Sequence, residues 1–432
     1  MYILRQHFNF WKELKSLHKK QKYPKADKDN GTFIGFNHKR EIYIPDNCKH
    51  CFVCGTTGSG KTVALANFVQ HATDKKLPIL LVDGKGDLGT GSLLEITKQL
   101  ADGQKVYVIN LSDPLHSDKY NPFKNASPTI CKDMLINMTE WSEEHYKLNT
   151  ERYLQKLVIM LSQADIPLSL KTIIQYIPVD RFNKLSLELV KSEIITKQEH
   201  TLNLEISKSS GKIAESACAR FSTIAESELG ILFDENGIDI YTAIKENAVI
   251  LFVLNPLLYP ELSPLMGKLI LIDAKKAVSK CFGTDLKRAF FIFDEINSYA
   301  STAMIDLINK SRSANITCVL ATQSLSDLDF SCGEAFKEQV IENVNNYLVL
   351  RQNSAVNAEH WANILGTRAT IEVTYQLEQQ ARNTNTTGLG SARRVREFLY
   401  HPDDIKALKT GKGFYLSRDS NIHCSVTINK PF

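Results

Sequence analysis

The sequence predicts an α/β architecture, in which a mostly parallel β-sheet flanked by helices is interrupted by an inserted all-α domain. Three observations predict it. Short β-branched or aromatic runs alternate with amphipathic helical segments near both ends of the chain, and no glycine occurs from residue 104 to 210 although the chain contains 21. The third is an apolar run that passes directly into a glycine-rich turn and then a helix. With 432 residues, 43% hydrophobic and 23% charged, there is material for two or three packed units, and a disordered chain is excluded.

Taken in order, residues 1–34 form a basic segment. Residues 1–40 carry ten Lys/Arg and three Asp/Glu, net +7, whereas the whole chain has 52 basic and 48 acidic residues, net +4, so the remainder is slightly acidic. A protein that coats nucleic acid over its whole surface is excluded, and any such contact must be local. Phe8, Trp11, Leu14 and Leu17 lie near helical spacing among Lys12, Lys15, Lys19 and Lys20, which predicts a basic amphipathic helix. It suits either peripheral contact of residues 1–30 with an anionic membrane surface or packing on its own domain. No run approaches the roughly 18 apolar residues of a membrane span, and the start lacks the features of a secretory signal. The expectation is a cytoplasmic protein, at most peripheral at the inner face of the cell membrane. Nine cysteines without framework spacing agree with reduced thiols. Cys48, Cys51 and Cys54, with His50 among them, superficially resemble a metal-ligand set. Residues 50–54 read as a strand, however, on which Cys51 and Cys54 would point to opposite faces.

Residues 35–125 form the first part of a split α/β domain, with strands at 50–54, 78–83 and 106–110. Residues 126–230 read as helical. Leu154, Leu157, Val158 and Leu161 repeat at i, i+3, i+4, i+7, and Ser169 is placed to cap a helix carrying Ile173, Ile174 and Ile177. Residues 231–432 resume the α/β pattern, with strands at 248–255, 289–294, 316–321, 347–351, 413–417 and 424–428. The polar stretch Gln376–Ser391 reads as a loop.

The strand at 50–54 runs into Gly55-Thr-Thr-Gly-Ser-Gly-Lys-Thr62, a phosphate-binding loop in strand–loop–helix context. Gly55, Gly58 and Gly60 let the backbone N–H groups of the loop, including Thr57 and Ser59, face a β-phosphate at the positive end of the helix. Lys61 reaches the β- and γ-phosphates, and Thr62 offers its hydroxyl to magnesium, so ATP with Mg2+ is the predicted ligand pair. Phe290-Phe-Ile-Phe-Asp294-Glu295 is an apolar strand ending in two carboxylates, Asp294 for magnesium and Glu295 for the attacking water. An adjacent glutamate is what a hydrolase needs and a small-molecule kinase does not. The run Ile316–Thr322 ends at Gln323, placed to sense the γ-phosphate or the water. Arg312, at the end of the intervening helix, either caps that helix or reaches the nucleotide of a neighbouring subunit.

Four separated segments, GTTGSGKT, LLVDGKGD (Leu80–Asp87), FIFDE with ATQ, and TGLGSARRVREFLYHPDDIKALKTGKG (Thr387–Gly413), together resemble the cytoplasmic motor of type IV secretion coupling proteins of the TraD/TraG kind. These belong to the HerA–FtsK group of DNA-pumping ATPases. The resemblance spans roughly residues 35–430, including KYNPF (Lys119–Phe123), and implies a RecA-like P-loop NTPase fold. It also implies a homo-oligomeric ring, usually a hexamer, that hydrolyses ATP between subunits and translocates DNA through a central channel. Carried over, Lys61, Thr62, Asp294, Glu295, Gln323 and Arg312 take the roles named above, with Arg312 acting in trans. Asp83 and Lys85 match the DxKG segment of the family's second strand. The helical insertion resembles the all-alpha domain that meets the DNA-processing relaxosome. Relatives ordinarily begin with transmembrane helices. Their lack here leaves open a separate membrane or secretion-channel subunit, or a soluble HerA-like translocase in DNA processing or defence. The same motor handling protein substrates is the nearest alternative, and a nucleotide-gated scaffold the third. Arg393, Arg394 and Arg396 are candidates for tracking DNA phosphates, or are solvated or subunit-interface charges.

Overall fold

The computed structural model describes residues 26–46, 50–138, 141, 143–286, 288–380 and 383–432, with backbone only at 220, 373, 375–380 and 383–392. The basic helix expected around Phe8, Trp11, Leu14 and Leu17 lies outside the described residues, as does Cys48. The strands are β1 (Gly31–Asn37), β2 (Arg40–Pro45), β3 (Cys51–Cys54), β4 (Ile79–Asp83), β5 (Val106–Asn110), β6 (Val249–Val253), β7 (Ala289–Asp294), β8 (Ile316–Thr322), β9 (Asn346–Val349), β10 (Thr367–Gln380), β11 (Asn383–Phe398), β12 (Lys412–Ser417) and β13 (Ile422–Ile428). The helices that position the site are α1 (Lys61–Asp74), α2 (Leu93–Leu100), α3 (Pro128–Met138), α4 (Glu144–Gln163), α5 (Leu170–Tyr176), α6 (Val179–Lys191), α7 (Lys197–Ala217), α8 (Ala219–Glu226), α9 (Ile240–Lys245), α10 (Leu262–Cys281), α11 (Thr302–Ser311), α12 (Leu325–Cys332), α13 (Glu334–Asn343), α14 (Ala355–Leu365) and α15 (Pro402–Lys406).

The chain divides into two compact units, the larger containing 62–344 with 50–53, the smaller containing 26–46, 54–61 and 345–429. In the larger unit the strand order is β3-β8-β7-β4-β6-β5, and the pairs β8–β7, β7–β4, β4–β6 and β6–β5 are all parallel. Every residue of β4, β6, β7 and β8 is buried. This is why they read as continuous apolar runs, since a parallel strand covered by helices on both faces has no polar side to show.

From residue 128 to 232 the larger unit is helical, closing with a 3₁₀ turn at Glu228–Leu232. Leu154, Leu157, Val158 and Leu161 are all buried along α4. Ser169 caps α5 by accepting the Thr172 N–H at 3.1 Å, and Thr196 with Glu199 forms a capping box at the start of α7. Tyr153 and Phe182 stack at 4.4 Å between ring centres in the core of this helical stretch.

The smaller unit has the strand order β2-β1-β13-β12-β9, antiparallel throughout. The C-terminal strands are therefore an antiparallel addition and not a continuation of the parallel pattern. The expected boundary at residue 34 falls inside β1, because β1 starts at Gly31. The loop expected at Gln376–Ser391 is instead part of a two-stranded antiparallel ribbon, β10 with β11, pairing Thr367 with Phe398 and Gln380 with Asn383. Among the described residues the two strands of this ribbon pair only with each other.

Candidate active site

The phosphate loop is built inside the smaller unit. Ser59 donates its N–H to the Thr56 carbonyl at 3.0 Å, closing the turn. Gly58 and Gly60 have φ of 73° and 108°, which L side chains rarely adopt. At Gly55 a Cβ would lie 2.5 Å from Ser59 Oγ and 2.7 Å from Leu350 Cβ, so only glycine fits. Thr57 and Gly58 are exposed, Ser59 is buried, and Gly60, Lys61 and Thr62 are half-buried. With α1 beginning at Lys61, the positive end of its dipole follows directly on the loop.

The acidic residues are assembled in the larger unit. Parallel pairing of β4 with β7 sets Asp83 level with Asp294. Burial, and then the Asp294 carboxylate beside it, push Asp83 up to about 7. Asp83 Oδ1 accepts the N–H groups of Lys85 at 2.9 Å and Gly86 at 3.1 Å. Lys85 itself pairs with Asp87 at 2.8 Å. The glycines of this segment have steric reasons: a Cβ on Gly84 would meet the Asp294 carbonyl at 2.7 Å, and one on Gly86, at φ 70°, would meet the Leu254 carbonyl at 1.8 Å.

Glu295 is held in a left-handed conformation, φ 51° and ψ 49°, and is 7% exposed. A non-glycine residue in that region is strained, and such strain concentrates at functional sites. The turn is held by the Glu295 N–H donating to Asp294 Oδ1 at 2.9 Å and by Ser298 Oγ donating to the Glu295 carbonyl at 2.8 Å. Gln323, one residue past β8, donates from Nε2 to Glu295 Oε1 at 2.6 Å, so Glu295 and Gln323, 28 residues apart, meet. Tyr299, buried, donates its hydroxyl to the Asp294 carbonyl at 3.0 Å. Tyr299 escaped the sequence reading because nothing in its spacing from Asp294 signals the contact. Arg312 is exposed in the 3₁₀ turn that ends α11, and its guanidinium makes no ion pair among the described residues.

His50 is a packing residue. Its Nδ1 accepts the Cys318 N–H at 3.0 Å and its Nε2 donates to the Ile308 carbonyl at 2.7 Å. Both nitrogens are thereby committed to backbone groups. Cys51 and Cys54 are buried and form no disulfide among the described residues. Burial pushes the His50 imidazole down to about 4, against the bond to the Ile308 carbonyl and with the Arg312 charge adding to it. Unfolded histidine takes up its proton near pH 6.5 and the folded form only near 4, so stability is complete above 6.5 and lost as pH falls towards 4. Between pH 7.5 and 5.0 the native protein should lose about 2 kcal/mol through this residue. Urea titrations of wild type and His50→Gln at both pH values test it, and an equal pH effect in the two proteins would refute it.

The three arginines considered for DNA lie on β11. Arg393 pairs with Glu372 at 2.8 Å, and Arg396 Nε donates to Thr367 Oγ1 at 2.8 Å. Arg394 is exposed and set opposite Ile371.

A strand–loop–helix phosphate cradle, with a parallel sheet carrying an aspartate–glutamate pair at the C-terminal end of β7, defines a RecA-like P-loop NTPase. Residues 288–410 match the family described as the TraM recognition site of TraD and TraG, and residues 36–112 match the HerA-like helicase C-terminal family. Over these two segments the chain is similar to the TraD/TraG-type coupling proteins and to the HerA-like helicases. An uncharacterised protein of Mycoplasma pneumoniae is 31% identical over 101 residues, which is 23% of this chain and 67% of that protein. Among solved structures, the bacterial conjugative coupling protein TrwB superposes with TM-score 0.67 at 15% identity, over 97% of this chain and 91% of that one. VirB4 of Thermoanaerobacter pseudethanolicus gives 0.58 at 10% identity, over 94% and 97%. No helix among the described residues is long and apolar enough to cross a membrane.

Proposed function

We propose that this protein is an ATP-hydrolysing motor that moves DNA as a ring of identical subunits, six by family pattern. The observation that carries the hydrolytic reading is the 2.6 Å bond from Gln323 to Glu295. It gives a carboxylate that follows the acidic strand a second side chain, on the neighbouring strand, to set its orientation. In this reading the N–H groups of Gly55, Thr57, Gly58, Ser59 and Gly60 and the Lys61 ammonium hold the phosphates. Thr62 and Asp294 hold Mg2+, which neutralises phosphate charge when bound. Two carboxylates set level on neighbouring strands, with Asp83 pushed upward, are a donor set that a divalent cation relieves. Glu295 takes the proton of the attacking water, Gln323 reports the state of that site, and Arg312 serves the neighbouring subunit's nucleotide.

Solved forms of TrwB contain ADP with Mg2+ and a non-hydrolysable ATP analogue, which supports the same ligands here. The segment that matches the TraM recognition family, 288–410, lies outside the helical stretch. We therefore assign relaxosome recognition to it in preference to residues 126–230. Peripheral membrane contact remains assigned to residues 1–30, and the protein to the cytoplasmic side.

Turnover measured with single-stranded and with double-stranded DNA tests the substrate. The expected result is a severalfold rise over the basal rate with at least one of them. A protein that hydrolyses ATP at a rate unchanged by either would overturn the DNA reading in favour of a protein substrate, which the same nucleotide residues would serve.

A further inference from the structure

The C-terminal motif HPDDIKALKTGKG has no role in the hydrolytic scheme, yet its last residues touch the phosphate loop. Lys409, Thr410, Gly411 and Lys412 form a turn closed by the Lys412 N–H donating to the Lys409 carbonyl at 3.0 Å. Gly411 at its third position has φ 74°, as a type II turn requires. Thr410 Oγ1 donates to the Gly58 carbonyl at 2.9 Å. The Gly411 N–H donates to the Ser59 carbonyl at 2.9 Å, and the Gly411 carbonyl accepts the Ile428 N–H at 2.8 Å. The turn is thus pinned to β13 on one side and to the phosphate loop on the other. A Cβ on Gly60 would lie 3.2 Å from Gly411 N, so the two glycines pack directly on each other. On the far side of the loop, the Thr56 N–H donates to the Arg351 carbonyl at 3.0 Å.

A phosphate loop works by turning its N–H groups inward, which turns its carbonyls outward, where water would otherwise solvate them. Here Gly58 and Ser59, successive residues at the crown, have those carbonyls held by a fixed turn. The Gly58–Ser59 unit, whose N–H closes the turn onto the Thr56 carbonyl, and the Ser59–Gly60 unit, which presents the Gly60 N–H to a phosphate in the nucleotide-binding reading, are then set before nucleotide arrives, which lowers the ordering cost of binding.

We infer that the Lys409–Lys412 turn is a strap that pre-orders the phosphate loop, with Thr410 as a positioning residue for nucleotide affinity. This rests on the nucleotide-binding reading of that loop. Thr410→Val keeps the shape and removes the hydroxyl. Its expected effects are about a three- to tenfold weaker affinity for a non-hydrolysable ATP analogue and a matching rise in KM, the worth of one hydrogen bond, with kcat changed less than about twofold. Thr410→Ser should restore wild-type values. In the nucleotide-free protein, amide exchange at residues 56–60 should be faster in Thr410→Val than in wild type, with an unchanged melting temperature. Unchanged loop exchange would overturn the strap whatever the nucleotide data say, as would a fall in kcat with constant KM. Wild-type protein that binds no analogue, or a Lys61→Ala variant that binds it normally, would instead refute the nucleotide reading itself.

Discussion

Glu295→Gln protein should bind ATP as wild type does and turn it over at least about a hundredfold more slowly, the usual contribution of a positioned general base. The substitution is a narrow one. Glutamine has the length of glutamate and meets the same left-handed backbone at φ 51° with the same strain. The new amide still presents an oxygen to Gln323 Nε2, so the bond that orients the side chain survives. The Glu295 N–H bond to Asp294 Oδ1 involves only the main chain at 295 and is untouched. What disappears is basicity, so geometry and proton acceptance are separated. Phosphate release gives the turnover, and binding of a fluorescent ATP analogue gives the affinity. Turnover within about threefold of wild type would show that another group takes the proton. Asp83, level with Asp294 on the adjoining strand, would then be the residue to test.

The parallel strands β4, β6 and β7 were legible because each is covered on both faces, and five or six buried residues in succession leave an unbroken apolar word. β1 and β2 were not, although they form a plain hairpin. The register shifts between Phe33 and Gly35, and this bulge breaks the alternation that would have announced the strand. Gly35, at φ 145° with a hypothetical Cβ 2.0 Å from the Thr427 carbonyl, is glycine for that reason. The ribbon β10–β11 escaped for a different reason: Ile371, Val373, Tyr375 and Leu377 alternate along β10, but the polar, glycine-bearing run of β11 up to Ser391 reads as a loop. At the site, Lys61, Thr62, Asp294, Glu295 and Gln323 could be read because each closes or follows a local pattern. The crowding of Asp83 by Asp294, and the Thr410 bond to Gly58, could not. These pairs are separated by hundreds of residues, and only strand register or tertiary folding brings them together.

Lys276→Met should cost about 3–5 kcal/mol of stability, the penalty for leaving buried carboxylates without their cation. Lys276 lies on α10 with its side chain 2% exposed, 3.0 Å from Asp239 Oδ2 and 2.9 Å from Asp273 Oδ1, both of those side chains fully buried. Burial opposes the lysine charge, but the two carboxylates outweigh it and the net direction of its pKa is upward. Asp273 is pushed up to about 6 by burial, against the pull of Lys276. The ammonium also donates to the carbonyls of Pro122 at 2.6 Å and Lys124 at 2.7 Å. Tyr120 donates its hydroxyl to Asp273 Oδ2 at 3.0 Å, and the Ile240 N–H donates to the same oxygen at 3.2 Å. Residues 120–124 lead into the helical stretch and 237–240 lead out of it, so one cation fastens both crossings to α10. That explains the KYNPF segment: Tyr120 supplies a bond, and the chain that follows supplies two carbonyls. Nine residues earlier on α10, roughly 14 Å away along the axis, Gly267 makes room for Tyr299, whose Cβ lies 2.3 Å from where a Cβ on Gly267 would be. Urea unfolding measures the loss, and the partners make the test specific. Adding Asp273→Asn to Lys276→Met removes one of the stranded charges and should recover part of the stability, so the double variant costs less than the sum of the singles. A Lys276→Met protein as stable as wild type would mean that the acids are protonated at neutral pH and that hydrogen bonds alone fasten the crossings.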